Sequence, residues 1–185
     1  SAERIRQMQN FLDMIVENVP VPILVKDVPP EAKDAAQCRY SLINRACEDL
    51  FGVSRSQLIG KTAADVYPQE RADFIVAENN QTLRSEEPIV VTDHEVHTPA
   101  NGIRYAVGKS FAVRDGARRP RYLLTVLEDV TDRRRWEQRI SHMAHYDALT
   151  DLPNRATFNE VLESAIGREA KSGGTRAVLS LDLDG

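Results

Sequence analysis

From Ile5 onward the apolar residues Met8, Leu12, Ile15 and Val19 follow at steps of three, four, three and four. That spacing is the seam of a helix that packs on another helix. Pro20 and Pro22 end it. The pattern then changes to short β-type runs at residues 23–26 and 40–43, separated by a Pro- and Ala-containing loop over 27–37, which reads as two paired edge strands. Between Arg45 and Tyr67 short helical pieces are punctuated by Gly52 and Gly60. Residues 69–85 predict an amphipathic helix with Ile75, Val76 and Leu83 on one face, and Pro88 marks its exit.

Three longer strands are expected over 89–96, 103–113 and 122–130, joined through Asn101-Gly102 and Asp115-Gly116 as an antiparallel meander. In the middle one, Ile103, Tyr105, Val107, Phe111 and Val113 alternate with Arg104, Ala106, Gly108, Ser110 and Ala112. The bulky face is expected to line a core or pocket, with Tyr105 and Phe111 as wall residues. Asn79, on the long helix, is the polar candidate for ligand contact; capping a local turn is its equal alternative. After Thr131 a second helix carries Trp136, Ile140 and Met143 at seam spacing, but Arg133 and Asp147 fall where apolar residues are wanted. So short a seam depends on a partner, which suits a relay. A further helix carries Phe158, Val161, Leu162 and Ala165, and a strand is expected over 177–181.

Composition narrows the classes. The 185 residues are 42% hydrophobic and 28% charged, with a net charge of −4. A net acidic chain excludes nucleic-acid binding as its main business, and the arginines at 118, 119, 121 and 133–135 read as a solvated patch. No apolar run approaches the roughly 20 residues that span a bilayer. Cys38 and Cys47 match neither a disulfide framework nor a zinc spacing, and a reducing cytoplasm is the expected setting. His94 and His97 are expected on opposite faces of a strand, which excludes chelation by that pair. His142 and His145 share a helix face and are expected to be solvated.

Strand, strand, short helices, long helix and three strands resemble the PAS fold, as do the landmarks Asn44-Arg45-Ala46, Leu50-Phe51-Gly52-Val53, Leu58-Ile59-Gly60 and Asp129-Val130-Thr131. The resemblance implies an α+β domain, a five-stranded antiparallel sheet with helices on one face. The stretch Asp147-Ala148-Leu149-Thr150-Asp151-Leu152-Pro153-Asn154-Arg155 then resembles the D-x-L-T-G-L-x-N-R opening of GGDEF domains, departing at Asp151, where glycine is usual. Asn154 is placed to cap the next helix. The terminal Asp182-Leu183-Asp184 resembles the D-x-D that ends that family's first strand. These matches divide the chain into an amphipathic helix (1–21), a PAS domain (22–131), a signalling helix (132–147) and the start of a GGDEF domain (148–185).

The resemblance implies that Asp182 and the Leu183 carbonyl would bind Mg²⁺, which clamps GTP for phosphodiester formation in the complete cyclase. The later acidic ligands of that family lie beyond these motifs, and the chain by itself is expected to be non-enzymatic. The leading expectation is a homodimeric sensor whose state passes through Asp129, Thr131, Asp147, Thr150, Asn154 and Arg155 to a diguanylate cyclase domain. Asp129 is expected to accept from helix-start amides or from Arg133 or Arg134, and Thr131 to cap the first turn. The PAS ligand is not readable. The alternatives are a ligand-free dimer scaffold and a flavin or haem sensor. Against the last, the long helix has no histidine, and Cys47 does not stand in the flavin-sensor motif.

Overall fold

The structure, a computed structural model, describes residues 2–98, 101–172 and 177–179. Contacts divide the chain into two units, Ser1–Asp132 and Arg133–Gly185.

In the first unit, α1 (Ala2–Asn18) precedes β1 (Ile23–Asp27) and β2 (Arg39–Ile43). Three short helices follow, α2 (Arg45–Phe51), α3 (Arg55–Leu58) and α4 (Ala63–Val66), then α5 (Gln69–Arg84) and the long strands β3 (Ile89–Thr98), β4 (Gly102–Arg114) and β5 (Pro120–Asp129). The strands form one five-stranded sheet in the order β2-β1-β5-β4-β3, every pair antiparallel. The meander of the last three strands is as expected. The two short strands are not both at an edge, because β5 returns to pair with β1 and leaves β2 as the outer strand.

The alternation along β4 is real, but the face that turns inward is the small one. Ala106 and Ser110 are buried, whereas Ile103 and Val113 are exposed on the other face. Tyr105 and Phe111 stand with that outer set, half-buried, so the expectation that they wall a pocket is corrected. The reason is steric: helices covering a sheet need room, and small side chains supply it. At Gly108 the constraint comes from the neighbouring strand instead, since a Cβ there would lie 2.0 Å from the Val126 carbonyl oxygen of β5.

Asn44, buried between α1 and α2, fastens the domain's entrance. Its Oδ1 accepts from the amides of Ile23 (2.9 Å) and Cys47 (3.0 Å), and its Nδ2 donates to the carbonyls of Val16 (3.0 Å) and Val21 (2.8 Å). One side chain thereby caps α2, starts β1 and holds the end of α1. The rest of α1 buries nothing: Ile5, Met8, Leu12 and Ile15 are all exposed.

Helix α6 (Thr131–His145) runs on into the second unit, where Tyr146 and Pro153 form a bridge before α7 (Arg155–Ser172). Residues 177–179 are not in a strand, and the remainder of the strand expected over 177–181 lies outside the described residues.

Candidate functional site

A cavity of about 90 Å³ lies between the inner sheet face and the helices. Small residues of the central strands, Ala106, Ser110 and Thr125, form its floor, and Leu24, Phe51, Leu58, Ile75, Val91 and Leu127 supply apolar walls. The C-terminal part of helix α5 is pinned over it. Asn80 Oδ1 accepts the Ala35 amide (2.8 Å), and Arg114 donates to the carbonyls of Leu83 (2.8 Å) and Ser85 (3.1 Å).

The polar groups in the lining are few and unequal. Ser110 and Thr125 satisfy each other across the β4–β5 pair at 3.0 Å. Thr82 donates back to the Glu78 carbonyl at 3.1 Å. Tyr40 and Tyr67 are hydrogen-bonded to one another; burial pushes both phenols up, Tyr40 far out of reach. Lys26, only 4% exposed, holds its ammonium 4.5 Å from the centre of the Tyr40 ring. Burial pulls it down to about 8, against the opposing pull of Cys38 and Glu78. Arg71 and Glu78 also line the space and are both engaged in contacts.

Asn79 is among the lining residues, and its Nδ2 is the buried side-chain nitrogen without a hydrogen-bond partner among the described residues. Its neighbour Asn80 is committed to the scaffold, a distinction that the sequence does not carry. Lys26 was missed because a lysine in a five-residue strand reads as an outward position; the inward alternation Leu24, Lys26 was the available signal. The cysteines are buried thiols, Cys47 pushed up to about 12 and Cys38 raised by burial, so neither is a reactive thiolate. His97 lies against Glu95 at 3.5 Å, and the side chain of His94 lies outside the described residues.

The exit from the sheet is a second constellation. Asp129 Oδ1 accepts the Thr131 amide (3.0 Å) and the Thr131 hydroxyl, and its Oδ2 receives Arg104 Nε (2.9 Å) and Nη2. Thr131 is fully buried and takes the Tyr105 amide on its hydroxyl oxygen at 2.9 Å, while the Val130 amide donates to the Tyr105 carbonyl at 2.9 Å. Of the alternatives for Asp129 the helix-start amide is the one present, while the arginine and the part played by Thr131 differ from expectation. The guanidinium that Asp129 receives is that of Arg104, brought near by the β4–β5 register, and Thr131 ties α6 to β4 while Asp129 takes the helix's first amide. Burial alone would raise the Asp129 carboxyl; the Thr131 hydroxyl, Arg104 and the Thr131 amide outweigh it and hold it below the usual range.

In the second unit, Asp147 Oδ1 accepts from the Leu149 amide (3.2 Å), the Thr150 amide (3.0 Å) and the Thr150 hydroxyl (2.9 Å), which hold its carboxyl below the usual range. Asn154 caps α7 through the Thr157 amide (3.0 Å) and reaches back to the Ala144 carbonyl (2.8 Å), with Arg155 next as the first helical residue. Asp151, where glycine is usual in the signature, has φ 57°, the left-handed region in which a short polar side chain is tolerated. Its carboxylate meets His142 Nε2 at 2.6 Å, His142 stacks on Tyr146, and His145 meets Thr157 at 3.3 Å. Both histidines are exposed, as expected, and each also makes one side-chain contact there. Asp182 and Leu183 lie outside the described residues. Among the described residues no cluster of His, Cys, Asp and Glu could hold a metal ion, and no helix is long and apolar enough to cross a membrane.

The chain is 28% identical over 178 residues, 95% of its length, to the cyclic di-GMP phosphodiesterase PdeR of Escherichia coli, of which it covers 25%. It is 24% identical over 184 residues to the signaling protein YkoW of Bacillus subtilis, covering 99% of this chain and 21% of that protein. The chain thus spans a quarter or less of the curated relatives it matches. Among solved structures, the PAS domain of Bordetella pertussis BvgS superposes with a TM-score of 0.52 at 22% identity, over 75% of this chain and 97% of that one. An RNA-binding light-oxygen-voltage receptor superposes with a TM-score of 0.54 at 19% identity, over 76% of this chain and 37% of that one. Residues 144–185 match the diguanylate cyclase GGDEF domain, and by the match of residues 16–135 to the PAS fold the chain belongs to the PAS family.

Proposed function

We propose that residues 16–135 form a cytoplasmic sensory module that sets the output of a GGDEF diguanylate cyclase through α6, acting as a homodimer. One observation carries this reading. Ala106 lines the cavity, and its neighbour Tyr105 exchanges hydrogen bonds with Val130 and Thr131 at the start of α6. A shift of β4 driven by cavity occupancy therefore moves the first turn of the output helix directly. Joining two GTP molecules requires two active sites face to face, so the geometry of a dimer is a natural control variable, and the exposed α1 seam fits a second copy. In a complete cyclase domain, GTP and Mg²⁺ would engage Asp182 and the Leu183 carbonyl, as the resemblance implies.

The cavity, at about 90 Å³, is well below the ~300–1,000 Å³ of drug-sized ligand sites, which weighs against flavin or haem. A ligand-free scaffold leaves the unpartnered Asn79 amide without purpose. The test fuses this chain to a complete GGDEF domain and measures cyclic-di-GMP output. Thr131→Ala strands the Tyr105 amide, and is expected to change output severalfold, while Thr131→Ser, which keeps the hydroxyl, restores it. Unchanged output in the alanine variant, with the fold intact by circular dichroism, overturns the relay.

A further inference from the structure

The cavity holds two donors that the fold does not use. Lys26 is a buried cation whose close contact is the face of Tyr40, and no salt bridge of Lys26 occurs among the described residues. Asn79 presents a buried, unpartnered amide nitrogen to the same space. An ammonium and an amide N–H both seek an oxygen acceptor, and in a low-dielectric cavity an anionic acceptor is favoured most. A buried charge opposes folding, and a buried polar group without a partner calls for something that fills its hydrogen bond. Lys26 and Arg71 set against Glu78 leave the lining with one net positive charge, and Glu78 acts on Lys26 only as an opposing charge.

Size and polarity limit the ligand. A cavity of about 150 Å³ accepts benzene, and this one offers about 90 Å³, so the occupant has fewer heavy atoms than an aromatic ring with substituents. Apart from these donors and the charges of Arg71 and Glu78, the hydroxyls are paired with one another or with a carbonyl, and the rest of the wall is aliphatic and aromatic. The occupant therefore has one charged end and a short apolar body.

We infer that the cavity binds a short-chain monocarboxylate of about two to four carbons, its carboxylate received by Lys26 and Asn79 and its chain by Leu24, Ile75, Val91 and Leu127. This inference rests on the sensor reading above and specifies its ligand. A second carboxylate would face the carboxylate of Glu78, which selects against diacids.

Calorimetric titration of the chain with sodium propionate, at constant ionic strength, tests it, with propionamide and succinate as controls. The expected result is saturable binding of propionate and none of propionamide or succinate. Lys26→Met abolishes it, and Asn79→Ala weakens it about tenfold, the loss of one charge-assisted hydrogen bond. Absence of binding, binding that survives in Lys26→Met, or equal binding of the amide overturns the inference. The cavity-filling variants Ser110→Val and Ile75→Phe, in the GGDEF fusion, separate this failure from failure of the sensor reading. If either folded variant alters cyclic-di-GMP output while propionate does not bind, the sensor reading stands and the carboxylate falls; if neither alters output, both fall.

Discussion

The chain up to Asp132 and the chain from Arg133 onward are built on different physics. The first keeps a core of buried side chains, Tyr40, Ile43, Cys47, Leu58, Leu123 and Leu127 among them, and spends some of that stability on a buried lysine and an unpartnered amide. The second leaves its apolar residues outside: Leu149 is 93% exposed and Leu152 63%, and along α7 Phe158, Val161 and Ile166 are exposed while Ala165 is buried. What orders it is local, namely the Asp147 turn, the Asn154 cap and the His142–Asp151 contact. Local caps contribute about 0.5–2 kcal/mol each, whereas a core supplies the bulk of a domain's ~5–15 kcal/mol. Among the described residues the buried lysine lies in the region with the larger core.

Substitutions at matched polar positions break or sharpen this contrast. The largest effect is expected from Asn44→Ala, which strands the amides of Ile23 and Cys47 and releases the end of α1. Loss of a buried network of this kind costs roughly 3–5 kcal/mol, read as a fall in the denaturation midpoint of the first unit. A cost below about 1 kcal/mol, the size of a single surface cap, would show that the first unit does not depend on buried polar order.

Lys26→Met acts in the opposite direction. In the folded chain the ammonium titrates at about 8, against 10.5 for an unburied lysine. Below the folded value the lysine is charged in both states, and its burial opposes folding by about 3 kcal/mol. Between 8 and 10.5 the folded state gives up its proton first, so wild-type stability rises with pH across this window. The methionine variant is therefore expected to be more stable than wild type by about 2–3 kcal/mol at pH 7, with the advantage shrinking towards pH 10. Chemical denaturation at the two pH values checks it; equal stability at pH 7 would mean that the ammonium is not penalised by burial.

The smallest effect is expected at Asp151. Glycine removes the cost of a left-handed φ, about 1 kcal/mol, but gives up the contact with His142. Asp151→Gly should change protection of the first α7 amides by less than about tenfold in hydrogen exchange. A larger loss would show that the His142–Asp151 pair, and not the backbone turn, holds this region together.

Much of this architecture was legible in the pattern of residues. The 3.6-residue and 2-residue periods placed the long helix and the three long strands within a few positions, because amphipathic elements must show their periods to fold at all. The Asn154 cap was legible too, since it is a contact between residues a few positions apart. The division into a PAS region and a GGDEF opening followed from short motifs whose spacing is local.

What tertiary structure alone decided is which face of each strand turns inward and which charges meet. Alternation separates the two faces of β4 but does not label them; the covering helices label them, and they select the small face. Arg104 reaches Asp129 across 25 residues of sequence because β4 and β5 are in register, while Arg133 and Arg134 were nearer in the chain. The Lys26 ammonium and the Asn79 amide, contributed by β1 and α5, share a cavity for the same reason. Periodicity is a property of one element, whereas a site is a coincidence of several, and only the packing of those elements brings the coincidence about.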